Sequence, residues 1–434
     1  MISVTYLKKI ICLFLLLVGM QAHAAVQLNV RASGTKKIPL LVAIEASQGN
    51  QQELSEIAEV IKKDFEFRSQ FDVAVGEITS PFLTKSSIAE LHRKGYPLVL
   101  FLNNENADAI SWRLYDTKTV AMIKGKKYHK QGALMRGWAH GIADMVWPTL
   151  TGSQGFFSTK IAYCKEQRRA GLRPIKHIYI ADYDGSNAQP MVANASMNVA
   201  PRWNRDKSNP LLFYSECTPS NVRLMATDMK KRKKVVSNFD GLNMLPTFSQ
   251  DGKKAVYCAS RGDGNCQLYY YDKDSFKKLT HNDGNNISPT LSDEGDKIFF
   301  CSDFKTGKPQ LYCYDVASAA MEELTDSGYC TSPAYSSARN LLAYTKIIEG
   351  QNQIFIYDLK RKMHTQVTFD DSNKEECCWS PCGTMLLFGM REKGKNRLVI
   401  LDTVTRQQHA ITAAQDACSY PAWSMMYQEF PAIV

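Results

Sequence analysis

Pro246-Thr247-Phe248-Ser249 is one of six related tetrapeptides that run from the middle of the chain to its end. The others are Pro201-Arg202-Trp203-Asn204, Pro289-Thr290-Leu291-Ser292, Pro333-Ala334-Tyr335-Ser336, Cys377-Cys378-Trp379-Ser380 and Pro421-Ala422-Trp423-Ser424. Successive copies start 43 to 45 residues apart. A fixed period of about 40 to 45 residues with short alternating strands is the mark of a β-propeller, one four-stranded sheet per repeat. A second series tests the first. Apolar runs closed by aspartate, expected as third strands, occur at Ile178–Asp182, Leu224–Asp228, Leu268–Asp272, Leu311–Asp315, Ile354–Asp358 and Leu398–Asp402.

Both series have six members, but they are out of phase. The strand ending at Asp182 has no tetrapeptide before it, and the tetrapeptide at Pro421 has no third strand after it. One blade is therefore expected to be split, with Tyr420–Ser424 joining the sheet begun by Lys160–Cys164 so that neither end leaves an open edge. The aromatic positions Trp203, Phe248, Tyr335, Trp379 and Trp423 are expected to pack between blades. The aspartates are expected to cap their own turns.

Upstream the pattern changes. Near-continuous apolar runs at Ile38–Ile44, Phe71–Val75 and Leu98–Leu102 read as buried strands. Leu54, Ile57, Ala58, Ile61 and Phe65 share a helical face, opened by Asn50 as N-cap with Glu53 three residues on. A second helix is expected over Ser86–Arg93 and a hairpin around Asp116-Thr117-Lys118. A third helix carries Leu134, Trp138, Ile142, Met145 and Val146 and is expected to stop at Pro148. His140 and Asp144 are expected to form a solvent-facing pair. The fold class is thus multidomain: an α/β domain at residues 25–148, a linker at 149–155, and a six-bladed all-β propeller at 156–434 closed by the C-terminal strand.

Residues 1–24 read as a cleaved secretory leader: Lys8 and Lys9, an apolar run from Ile10 to Met20, then Ala22-His23-Ala24. The formal charge of +10 falls to +8 without Lys8 and Lys9. A mild basic excess on an exported chain implies no nucleic-acid partner. The densest basic run, Lys230-Lys231-Arg232-Lys233-Lys234, falls between a third and a fourth strand and reads as a solvated turn, with contact to an anionic envelope component as its other use. Of twelve cysteines, eleven follow the leader. Several recur at equivalent repeat positions, as Cys258 and Cys301 do, and are expected to be buried, reduced and packed. Cys377, Cys378 and Cys382 with His364 lack the spacing of a paired zinc knuckle.

No Gly-x-Ser-x-Gly elbow, His-Glu-x-x-His, phosphate-binding loop or dinucleotide fingerprint occurs. Asp182-Tyr183-Asp184-Gly185 opens like a calcium loop, but its twelfth position is Ala193. No catalytic residue, metal or cofactor is expected. The stretches leading into the innermost strands hold Leu242, Asn243, Met244 and Leu245, then Asn285, Asn286 and Ile287, then Thr331. Their apolar content suits an interaction face better than a reaction centre. The alternatives are an exported propeller with carbohydrate- or metal-binding or hydrolytic activity in its channel.

Lys160-Ile161-Ala162-Tyr163, Ala181-Asp182-Tyr183-Asp184-Gly185, the propeller tetrapeptides and the terminal Pro421-Ala422-Trp423-Ser424 together resemble the TolB family of the Tol–Pal envelope system. The likeness covers the whole chain after the leader. It departs at Asn204, where serine is usual, at Cys377 in place of proline, and in a high cysteine count. The resemblance implies a non-enzymatic, monomeric adaptor in the periplasm that serves outer-membrane integrity and invagination at cell division. It implies Pal, the peptidoglycan-associated lipoprotein, as partner of the propeller face at the eight residues above. It implies TolA of the inner membrane as partner of the N-terminal strand Ala25-Val26-Gln27-Leu28-Asn29-Val30-Arg31. In that strand Val26, Leu28 and Val30 alternate with polar residues, as in a strand with one buried face. Residues 25 to 36 are expected to switch between ordered and disordered states.

Overall fold

The computed structural model describes residues 37–45, 51–78, 84–106, 109–129, 135–168, 174–206, 208–261, 264–272 and 275–426. The expected leader, the expected strand at Ala25–Arg31 and the expected N-cap Asn50 lie outside them. Contacts divide the chain into two units, residues 1–130 with 145–153, and residues 131–144 with 154–434.

The first unit is a five-stranded sheet. β1 (Ile38–Glu45), β2 (Phe71–Ile78) and β3 (Leu98–Asn106) are parallel in the order β2-β1-β3. β4 (Ala109–Asp116) and β5 (Ala121–His129) extend it antiparallel. The continuous apolar runs are explained by β1 being the central parallel strand, where Leu40, Val42, Ala43 and Ile44 are almost fully buried. Helix α1 (Gln51–Phe67) buries Leu54, Ile57, Ala58, Ile61 and Phe65, the expected face. Helix α2 (Lys85–Arg93) is capped by Thr84, whose Oγ1 accepts from the Ser87 N–H at 3.2 Å. The expected hairpin forms where Asp116 Oδ1 accepts from the N–H groups of Lys118 and Thr119. Helix α3 (Met135–Thr151) adds its last turns from Met145, and Trp147 closes an edge-to-face trio with Phe65 and Phe71 at centroid distances of 5.3 to 5.6 Å.

The second unit holds six four-stranded sheets. In chain order the strands of the first are β6 (Lys160–Gln167), β7 (Ile175–Asp182) and β8 (Gln189–Val192). The second has β9 (Met197–Trp203), β10 (Leu211–Cys217), β11 (Val222–Asp228) and β12 (Lys233–Ser237). The third has β13 (Asn243–Phe248), β14 (Lys254–Ala259), β15 (Gln267–Asp272) and β16 (Ser275–Lys278). The fourth has β17 (Asn286–Leu291), β18 (Lys297–Ser302), β19 (Gln310–Asp315) and β20 (Met321–Glu323). The fifth has β21 (Cys330–Ser336), β22 (Leu341–Ile348), β23 (Gln351–Asp358) and β24 (Met363–Gln366). The sixth has β25 (Asn373–Trp379), β26 (Met385–Glu392), β27 (Lys395–Asp402) and β28 (Gln408–Ala410). β29 (Cys418–Trp423) then pairs antiparallel with β6, matching Ser419 to Cys164 and Ala422 to Ala162, and completes the first sheet.

One hydrogen bond repeats around the ring and explains the last residue of the tetrapeptide. The serine hydroxyl accepts from the backbone N–H that opens the second strand: Lys254 to Ser249 and Lys297 to Ser292 at 3.0 Å, Met385 to Ser380 at 3.2 Å. Asn204 does the same with its side-chain oxygen, accepting from Leu211 at 2.8 Å, so that departure is neutral for the turn. Ser424 accepts from Lys160 at 2.9 Å across 264 residues, and the split blade is stitched like the continuous ones. The indoles bridge blades: Trp203 Nε1 donates to Ala422 O and Trp379 Nε1 to Ala334 O.

Three local readings need correction. α3 runs through Pro148 to Thr151, because proline removes one N–H late in the helix while the Thr149 and Thr151 hydroxyls donate back to the Met145 and Trp147 carbonyls. His140 and Asp144 do not face solvent: both are buried, and Asp144 accepts from the N–H groups of Phe157 (2.8 Å) and Ser158 (2.7 Å). Asp228, Asp315, Asp358 and Asp402 do cap their turns. Asp182 does not, since its buried carboxylate instead takes Arg136 Nε at 3.0 Å, Asn187 Nδ2 at 2.8 Å and the Lys160 ammonium. Burial pushes the Asp182 carboxyl up, but the adjacent His140 and Lys160 outweigh it and hold it well below the usual range.

Candidate functional site

Each innermost strand is interrupted at the same place. The residues just before the tetrapeptides, Ala200, Leu245, Ser288, Ser332, Glu376 and Tyr420, all have φ between 51° and 58°. The ladder slips there in all six sheets. Five of the six precede proline, and a left-handed L-residue costs of order 1 kcal/mol or more. A bulge releases one residue from the ladder and re-aims its side chain. All six line one axial cavity of about 730 Å³.

Two of the cavity's residues set its electrostatics. Glu376 accepts from the Tyr420 N–H at 2.9 Å. Burial raises its carboxyl pKa to about 7, against the opposing charge of Arg202. Arg202 also lines the cavity and donates to Pro201 O at 2.8 Å. A further acid, Asp293, is paired with Arg205 at 2.8 Å. The sequence carries a signal for Glu376: the sixth blade holds Lys374-Glu375-Glu376 where the equivalent stretches of the other repeats are neutral.

Strand direction alternates, so the loops leading into the innermost strands share one end of the ring with the loops joining second to third strands. At that end Leu242, Tyr329 and Phe369 are 37%, 45% and 73% exposed. The sequence-derived face residues divide into three kinds. Leu242 and the half-buried Thr331 reach the surface. Met244, Leu245 and Ile287 are half-buried against a cluster that includes Val256, Leu268 and Ile298, and only Met244 and Leu245 of the eight line the cavity.

Asn243 and Asn286 have no exposed surface, which corrects their reading as contact residues. They are clamps. Asn243 Nδ2 donates to Val222 O and Phe239 O, and Asn286 Nδ2 to Gln267 Oε1 and Asn282 Oδ1. Asn285 is half-buried, with its N–H on Asp303. Ala25–Arg31 lie outside the described residues.

The cysteines near the sixth tetrapeptide are not drawn into a metal cluster. His364 stacks on Tyr357 at 4.2 Å in the fifth blade, while Cys382 lies between the Ser380 and Thr384 hydroxyls in the sixth. Among the described residues no group of three His, Cys, Asp or Glu side chains is placed to hold a metal. Burial pushes the Cys164 and Cys301 thiols up to about 12, so both stay protonated as packing groups.

A six-bladed ring stitched by its own last strand, with bulged inner strands around an axial cavity and an α/β unit earlier in the chain, defines a multidomain propeller protein. Residues 147–427 match the family model of the TolB β-propeller domain. The Tol–Pal system protein TolB of Rickettsia akari is 36% identical over 334 residues, 73% of each chain, and that of Rickettsia canadensis 35% over 336 residues, 73% of this chain and 74% of that one. The chain belongs to the TolB family. The crystal structure of TolB from Acinetobacter baumannii shares the fold, with a TM-score of 0.74 at 22% identity over 90% of this chain and 97% of that one.

Proposed function

We infer that this Tol–Pal system protein is a non-enzymatic, monomeric periplasmic adaptor. It binds a Pal-like peptidoglycan-associated lipoprotein through the propeller end that carries the loops into the innermost strands. It binds a TolA-like inner-membrane protein through Ala25–Arg31, and so supports outer-membrane integrity and invagination at division. The observation that carries the first contact is the gathering of the exposed apolar side chains Leu242, Tyr329 and Phe369 on loops at that one end of the ring. The clamps Asn243 and Asn286 hold the loops in shape, so partner energy belongs to their exposed neighbours. The test is capture of Pal from envelope extract: Leu242→Asp with Phe369→Asp is expected to weaken capture at least tenfold with the melting temperature unchanged. Undiminished capture would refute this face. Deletion of residues 25–31 is expected to abolish TolA capture and spare the fold.

A further inference from the structure

The blades are near-copies, so a position where one blade differs from the rest is informative. The outermost strands β8, β20, β24 and β28 contain no lysine or arginine. β12 reads Lys233-Lys234-Val235-Val236-Ser237, and β16 reads Ser275-Phe276-Lys277-Lys278. Val235, Val236 and Phe276 are 44%, 47% and 44% exposed. Lys230, Lys231 and Arg232 form the turn before β12, capped by Asp228, and Arg232 pairs with that carboxylate at 2.6 Å. Lys230, Lys231, Lys233 and Lys234 are all exposed. In contrast, the acids of β20 are engaged: Glu322 by Lys362 at 3.1 Å and Glu323 by Lys305 at 2.5 Å.

The two basic edges adjoin. Phe239, just past β12, lies 6.4 Å from Phe276, which stacks on Tyr269 at 5.4 Å with a 9° interplanar angle. The Arg261 guanidinium sits 3.7 Å from the Phe239 centroid and 5.1 Å from that of Phe276. The aromatic shelf is thus already ordered, and a ligand meets it without an ordering cost. Protection of a sheet edge against pairing accounts for lysines on β12. It does not account for two adjacent exposed valines, for an exposed Phe276 on the next blade, or for the lysines of the turn.

We propose that this edge of the ring binds the surface of an anionic phospholipid bilayer. The four lysines meet headgroup phosphates, and Val235, Val236 and Phe276 enter the interfacial zone, the combination that holds peripheral proteins on membranes. Charge complementarity selects the occupant: roughly fivefold in affinity per lysine gives a preference of a few hundredfold for anionic over neutral lipid, declining as salt rises.

The test is sedimentation of the intact protein with vesicles of phosphatidylethanolamine and phosphatidylglycerol, against vesicles of phosphatidylcholine alone. Binding to the first only is expected. K233E/K234E, and independently K230E/K231E in the turn, should each weaken it by roughly several hundredfold, since each pair changes the charge by four units at about fivefold per unit. V235S/V236S should weaken it about tenfold through lost apolar burial. Circular dichroism melts confirm that each variant is folded. Absence of binding at physiological salt overturns the proposal, as does a V235S/V236S protein that binds like the wild type, which would be electrostatic adsorption alone. Polyglutamate that binds as tightly as the vesicles would make an acidic protein segment the occupant and overturn the lipid assignment. No partner protein enters the assay, so its failure is separate from failure of the adaptor reading.

Discussion

The fourth and sixth blades solve one problem with different chemistry. Five residues before the third residue of the tetrapeptide stand Asn286 in one and Lys374 in the other, and both have no exposed surface. Asn286 donates to Gln267 Oε1 (3.0 Å), Asn282 Oδ1 (2.8 Å) and Gly284 O (3.2 Å). Lys374 donates to Gln353 Oε1 (3.3 Å), the Asp370 carboxylate and Ser372 O (2.8 Å). The partners stand four and two residues earlier in both blades, so the neutral pair Asn282/Asn286 has become the ion pair Asp370/Lys374 in unchanged geometry. What the ring selects at this position is a donor that satisfies buried loop acceptors, and charge is admitted only when its counter-ion arrives with it.

The largest effect would come from removing a whole strand from the series. Deleting residues 419–434 takes β29 from the first blade and leaves β6 as an open edge, with the Lys160 N–H deprived of Ser424 and the Trp203 indole of Ala422. Failure to fold, or aggregation, is expected, and a truncated protein that melts like the full chain would disprove stitching of the ring by its end. Next, Lys374→Met is expected to cost about 3 kcal/mol in urea unfolding and Asn286→Leu about 2, because each strands buried acceptors. The double change D370N/K374N rebuilds the fourth-blade solution and should return to within about 1 kcal/mol of the wild type. If it is as unstable as Lys374→Met alone, the two blades are not equivalent.

The pH dependence sharpens the same comparison. Burial pushes the Asp370 carboxyl up, but Lys374 and Ser372 outweigh it and lower its pKa. Its share of stability is therefore present above the ordinary carboxylate range and lost as pH falls from there through the lowered pKa, and D370N/K374N should lack that loss. Glu376 has the opposite sign. Its pKa of about 7 lies above the ordinary value, so the folded state holds the proton more tightly, and stability declines as pH rises from about 4.5 to 7. Glu376→Gln should remove that decline, by about 3 kcal/mol at most. Unfolding curves across this range that superimpose for wild type and variant would contradict a desolvated Glu376 carboxyl at the cavity wall.

Much of this was legible in the chain. The period of the tetrapeptides and the phase offset between the two series led to six blades and to the pairing of β29 with β6, since both depend only on strand length and the need to leave no open edge. The apolar runs of β1 and β3 were equally readable, as parallel strands with neighbours on both sides are apolar throughout, whereas β2 lies at the sheet edge and is buried at only part of its length. The candidate face was legible only in part. Leu242 and Asn243 are neighbours of similar apparent promise, yet one is exposed and the other clamped by Val222 O and Phe239 O. Glu376 stands out as an acid where the other blades carry alanine, leucine, serine or tyrosine, but its importance lies in facing an axial cavity with Arg202, which only the closed ring brings about.

By itself, then, the sequence determined the count of blades, the order of units and the closure of the ring, because these follow from periodicity, which is local and repeated. The tertiary structure alone decided which residue of each repeat is a clamp, which faces the cavity and which meets solvent. Those roles are set by acceptors on preceding strands, by left-handed bulges that turn one residue per blade out of its ladder, and by neighbouring blades, none of which a single repeat contains.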